Sequence, residues 1–139
     1  MGLILATSVI VRAERRGHSV ADILTQVREK YGETEIGISG VSVAELTHGV
    51  ERSRNEAQRQ RSQAFVDDVP ATFTVHPVTV EMAQRVGVIS AQAAERRITL
   101  PFEDLLIGAA ARQLGFELGD TQRSRLREDS GSDRETALK

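Results

Sequence analysis

Short apolar runs of β character alternate along the chain with longer stretches of helical periodicity, which predicts an α/β domain built on a mainly parallel sheet. Strands are expected at Leu3 to Leu5, Glu35 to Ile38, Phe73 to Val75 and Phe116 to Leu118. Behind the first strand, Thr7 or Ser8 is placed to cap a helix carrying Val9, Ile10, Val11 and Ala13, with Gly17 as its stop. Ser19 caps a second helix, with Val20, Ile23, Leu24 and Val27 on one face. Ser39 or Ser42 opens a third, around Val43 to Val50, and the polar stretch Glu51 to Gln63 is expected to continue as helix until Pro70 stops it. Thr79 caps a helix running through Val86, Ile89, Ala93 and Ala94. Pro101 suits the first turn of a last helix whose buried face is Leu105, Leu106, Ala109, Ala110 and Leu114, ended by Gly115.

The pattern stops near residue 119. From Asp120 to Lys139 the only large apolar residues are Leu126 and Leu138, among many Arg, Asp, Glu and Ser. The expectation is therefore one folded domain over 1–119 and an atypical polar tail over 120–139 that is disordered. At 139 residues the chain buries about two-thirds of its unfolded surface on folding, so it needs no staple. It has no cysteine, which excludes both disulfides and a thiolate zinc site. The formal charge of −2 excludes a bulk basic footprint, so any nucleic-acid contact must come from local patches or bound cations. The start lacks a basic leader, and no apolar run approaches the about 20 residues that span a bilayer, so a cytoplasmic location with no membrane partner is expected.

Hydrolysis of a phosphodiester with a divalent cation needs hard oxygen ligands converging on the ion, and such sites combine a few carboxylates with substrate oxygens. In an open α/β sheet that cluster belongs at the carboxyl ends of the strands. Glu45, in Ser42-Val43-Ala44-Glu45-Leu46, follows one strand, and Asp104, in Pro101-Phe102-Glu103-Asp104-Leu105, opens a helix. Position 6 ends the first strand, and there the residue is Ala6, as if an acidic side chain had been cut out. A plainer reading stands beside this one, because carboxylates near helix starts complement the helix dipole with no metal present.

Three segments change the weighing. Leu3-Ile4-Leu5-Ala6-Thr7-Ser8-Val9, Val41 to Val50 and Pro101 to Ala111 resemble, in order and spacing, the successive motifs of the PIN-domain nucleases, specifically the VapC-type toxins of type II toxin–antitoxin modules. The resemblance implies a PIN-like fold, with a short central sheet flanked by helices on both sides. It also implies Mg²⁺- or Mn²⁺-dependent endoribonuclease activity on cellular RNA. Inhibition would come from a cognate VapB-like antitoxin that carries the contact with operator DNA, and the toxin would be a homodimer. In that family an Asp stands where this chain has Ala6, next to the hydroxyl residue here represented by Thr7, and Glu45 and Asp104 match the next two acidic positions. Glu45, Asp104 and Thr7 are therefore the expected catalytic residues. Glu45 and Asp104 are the expected metal ligands, with Ala6 at the position of the missing third. Loss of that ligand predicts a catalytically impaired chain. The alternative is a non-catalytic module that sequesters the antitoxin.

The tail departs too. The family continues with a Thr-x-Asn-x-x-Asp-Phe segment, where this chain reads Asp120-Thr121-Gln122-Arg123-Ser124-Arg125-Leu126. Codons permitted for residues 120–139, read one nucleotide out of frame, spell Thr-Arg-Asn-Val-Ala-Asp-Phe-Gly-Lys-Ile-Pro-Gly-Leu-Thr-Val-Lys-Arg-Leu and then a stop, which suggests a frameshifted C-terminus. Arg12 and Arg52 are candidate substrate contacts. Arg15, Arg16, Arg54, Arg59 and Arg61 share that reading with the plainer one of a solvated face. His48, one helical turn from Glu45, is a weaker candidate.

Overall fold

Leu3, Ile4 and Leu5 are each 1% exposed or less, so the first strand is covered on both faces, as a central parallel strand must be. The computed structural model describes residues 2–119, and the expectations for the 120–139 tail, its disorder and its shifted frame, lie outside the described residues. The elements in chain order are β1 (Gly2–Leu5), α1 (Thr7–Arg15), α2 (Val20–Tyr31), β2 (Glu35–Ser39), α3 (Gly40–Glu51), α4 (Glu56–Thr72), β3 (Thr74–His76), α5 (Val80–Glu95), α6 (Phe102–Leu114) and β4 (Glu117–Gly119). The sheet order is β3-β2-β1-β4, and each neighbouring pair is parallel.

That order makes β1 the point of reversal. The chain moves outward from β1 through β2 to β3, then returns to lay β4 on the other side of β1. The helices α1 to α4 bury Ile10, Ile23, Leu46, Val50 and Val69 against Leu3, Leu5, Ile36 and Ile38 on one face. On the other face, Ile107 and Ala111 of α6 cover Ile4 beside Phe116, and α5 packs Met82 and Val86 against Leu105 and Ala109 of α6. Helices therefore flank both sides of the sheet, as expected from the sequence. Among the described residues no helix is long and apolar enough to cross a membrane.

Several local signals act as read. Ser19 accepts from the Asp22 N–H while Asp22 accepts from the Ser19 N–H, a reciprocal cap on α2. The Ser19 backbone N–H and hydroxyl hold the Asp22 carboxyl below the usual carboxylate range. Thr79 caps α5 through the Met82 N–H, and Gly115 closes α6 in the left-handed region at φ 67°.

Others differ. The stretch after Glu51 is not one helix: α3 ends at Glu51 with Arg52 as its C-cap, and Asn55 caps a separate α4 by accepting from the Gln58 N–H. Asn is among the strongest caps, and here it overrides the helical propensity of its neighbours. Pro70 does not stop α4 either, since the helix runs to Thr72. The ring removes only the N–H that would reach Val66, while Val69 and Phe73, on either side of it, are 0% and 2% exposed. Phe73 is the residue that caps α4 rather than the first of β3, and Pro101 precedes α6 rather than opening its first turn.

Two glycines let side chains from the flanks lie across the sheet. A Cβ on Gly37 would sit 2.6 Å from the His76 Nε2 and 3.1 Å from the Thr74 carbonyl oxygen, and one on Gly2 would collide with the Phe116 ring. The two rings meet edge to face at 5.9 Å, and the His76 Nε2 is buried without a hydrogen-bond partner among the described residues. Gly37→Ala is expected to cost about 1–3 kcal/mol through this overpacking. In a His76→Ala background more than half of that loss should disappear, because the ring is the nearer obstacle. Urea denaturation of the two single variants and the double variant reads the coupling.

Candidate active site

The carboxyl edge of the sheet collects the N-termini of α1, α3, α5 and α6, and three of these bear on the site. α1 leaves β1 there and α3 leaves β2 there, and α6, which leads into the parallel strand β4, runs back across the sheet and so starts at the same edge. This is the topological reversal at which open α/β sheets place their ligands. Ala6 sits at its centre, donating its N–H to the Gly119 carbonyl at 3.0 Å and accepting from the Val9 N–H at 3.1 Å. It is the N-cap of α1, in extended conformation, with no side-chain cap and no acidic residue in the following turn. The expected cap residues Thr7 and Ser8 thus fall one and two positions inside the helix.

Thr7 does something else. Its buried hydroxyl reaches across to α3, 2.7 Å from the Ser42 Oγ and 2.7 Å from the Glu45 Oε1. A threonine hydroxyl has one proton, and a carboxylate has none to give. That proton therefore goes to Glu45, and the Ser42 hydroxyl donates to Thr7. The chain of donation runs Ser42 to Thr7 to Glu45, and it joins the first turn of α1 to the second turn of α3.

Glu45 is the sixth residue of α3, whose first turn holds no acidic side chain. Dipole stabilisation fades within the first turn, so it does not account for Glu45. Asp104 is the third residue of α6, exposed, with Glu103 beside it, and there the dipole reading keeps its force. His48 is exposed in the last turn of α3. The sequence reads Ser42 only as a helix opener, whereas the fold gives its hydroxyl to Thr7. The signal for its role is its spacing of three from Glu45, which puts both on one helix face.

The basic candidates separate in space. Arg12 lines a cavity of about 160 Å³ between α1 and α2 with Arg16, Lys30 and Tyr31. Arg52 is exposed at the end of α3, and Arg59 pairs with Glu51 at 2.7 Å. Arg15 and Arg61 line a larger cleft, about 650 Å³, that Glu45 also lines.

The donor set among the described residues falls short of the three carboxylates that the resemblance implies. Among the described residues no group of three His, Cys, Asp or Glu side chains converges to hold one. The edge offers two carboxylates and a methyl, and one Glu45 oxygen already accepts from Thr7. No hydrolytic step is assigned through an ion in this chain. The hydroxyl relay itself is testable: Thr7→Val keeps the shape, removes both hydrogen bonds and leaves the Ser42 hydroxyl buried without its partner. A loss of about 1–3 kcal/mol is expected in chemical denaturation, largely restored by Thr7→Ser.

The fold and the sequence have counterparts. Residues 3–127 match the PIN domain family. The chain is 34% identical over 118 residues to a protein of Rickettsia felis named Ribonuclease VapC1, covering 85% of this chain and 83% of that one. It is 32% identical over 111 residues to Ribonuclease VapC of Rickettsia bellii, covering 80% and 78%. Among solved structures, the fold is similar to that of VapBC from Salmonella typhimurium bound to DNA, with a TM-score of 0.70 and 19% identity over 93% of this chain and 90% of that one. It is also similar to FitAcB from Neisseria gonorrhoeae, with a TM-score of 0.68 and 20% identity over 98% and 92%. With a family match that spans most of its length and two relatives above 30% identity, this chain belongs to the PIN domain family and is of the VapC toxin type.

Proposed function

We propose that this chain is a VapC-type endoribonuclease toxin whose cleavage is impaired, partnered by a VapB-like antitoxin through which operator DNA is contacted. The relatives named as ribonucleases support the activity, and the similar solved assemblies with DNA support the partner. The observation that carries the impairment is the methyl of Ala6 at the reversal point, beside a hydroxyl relay that still presents Glu45. Asp104 at the start of α6 is the second carboxylate of the proposed site, Thr7 its positioning hydroxyl, and Mg²⁺ or Mn²⁺ the ion that a third carboxylate at position 6 would admit. Residues 1–119 form the catalytic unit in this reading, and 120–139 replace the family's closing segment. A homodimer belongs to the same proposal, and the side chains exposed on α5 and the start of α6, with Val80 75%, Val88 57% and Phe102 56% exposed, offer the apolar surface it would cover.

A second reading rests on the same methyl: a module that binds an antitoxin and does not cut. Ala6→Asp, made together with the shifted-frame tail, separates the two. Under the ribonuclease reading the repaired chain cleaves a mixed RNA substrate with Mg²⁺ or Mn²⁺, and the parent chain leaves it intact. The repaired chain should also gain thermal stability with the ion, about 2.7 kcal/mol at a hundredfold excess over Kd. The new side chain would, in addition, cap α1, a contribution of about 1 kcal/mol. Silence from the repaired chain, with antitoxin binding retained, would leave the binding module.

A further inference from the structure

Glu45 does not face open solvent alone: it lines a cleft of about 650 Å³ walled by α1, α3 and α4. That volume lies in the range of about 300–1,000 Å³ over which proteins hold small-molecule ligands. Arg15, from the last turn of α1, stands on one wall and Arg61, from α4, on the other. Both are exposed, and among the described residues neither forms an ion pair. The acidic neighbour, Glu14, accepts from the Ser62 hydroxyl at 2.7 Å, a bond that ties the two walls together. Phe65 lies partly buried in the same lining.

We infer that this cleft is the track for single-stranded RNA, with Arg15 and Arg61 contacting phosphates on either side of the group presented to Glu45. The inference rests on the ribonuclease reading and selects among the arginines of the polar helices. Arg12 opens onto a different cavity, and neither Arg52 nor the ion-paired Arg59 lines this cleft. Guanidinium groups on facing walls suit a flexible polyanion threading between them, whereas a single phosphate needs only one. The walls are polar as well as charged, and the Gln58 side chain in the lining is placed to meet a ribose or base edge.

The test is fluorescence anisotropy of a labelled ten-nucleotide oligouridylate in EDTA, so that binding is read without cleavage. Each phosphate contact to a single strand contributes about 0.7 to the slope of log affinity against log salt, hence about fivefold in affinity near 0.1 M salt. Arg15→Ala and Arg61→Ala should each weaken binding about fivefold and lower that slope by about 0.7, and the double variant by about twice that slope change. Arg28→Ala, which removes the same charge from α2 beside Glu33, should leave both unchanged. Parental affinity in both variants, while the repaired Ala6→Asp chain cuts RNA, overturns the cleft and leaves the ribonuclease reading standing. No RNA binding by the parent overturns the cleft whatever the repaired chain does, and absence of both binding and cutting overturns the two together. An oligo-aspartate of equal charge binding as tightly as the RNA would assign the cleft to an acidic peptide instead.

Discussion

The parallel pairing of β1 with β2 on one side and β4 on the other is the constraint on which the rest of this molecule hangs. Four residues long and buried throughout, β1 has no exposed edge and no exposed face. Full burial of a side chain such as Leu3, Ile4 or Leu5 contributes about 2 kcal/mol, so this one strand anchors a sizeable share of a marginal total. Because the chain leaves β1 outward and returns on its other side, the carboxyl end of β1 becomes the place where α1, α3 and α6 all begin. The geometry of the site is thus a consequence of strand order, before any side chain there is specified.

Side chains then decide what that place can do. Proton counting fixes the direction of the Ser42–Thr7–Glu45 chain, since the last member accepts only. A carboxylate held in this way is aimed and partly dehydrated by its neighbours, which is the preparation a catalytic or ligating carboxylate needs. Its presence in a chain with a methyl at position 6 is informative. A core that needed only packing at Thr7 and Ser42 would be served as well by Val and Ala, without two buried hydroxyls that must each find a partner. The relay therefore does more than pack: it holds Glu45 in one orientation at the reversal point of the sheet.

The sequence made the strands and most caps legible because those are local: Ser19 with Asp22, Thr79 with Met82, and Gly115 each act within one turn. The apolar runs of β1 and β2 announced themselves by burial alone. What stayed hidden was either competition between local signals or contact at long range. Asn55 prevailed over a helical stretch that seemed continuous, and Pro70 was absorbed because the buried Val69 and Phe73 outweigh one lost hydrogen bond. Ser42 looked like a cap because its true partner lies 35 residues away. The candidate carboxylates were legible only as residues within motifs. Their environments, one tied to a buried hydroxyl and one exposed in a first turn, required the fold.

Fold and chemistry are separable here, and the magnitudes say why. Exchange of a carboxylate for a methyl at the N-cap of α1 removes a cap worth about 1 kcal/mol and touches no core residue. The backbone bonds of Ala6 to Gly119 and Val9 need no side chain, so the reversal point keeps its shape. For a cation the same exchange is decisive, because a hard divalent ion takes its affinity from the number of oxygens it meets. Under the proposed function, the position on which the chemistry would depend most is therefore among those that matter least to folding. On that proposal, a chain of this fold would lose its reaction at position 6 while keeping its sheet, its relay and its cleft.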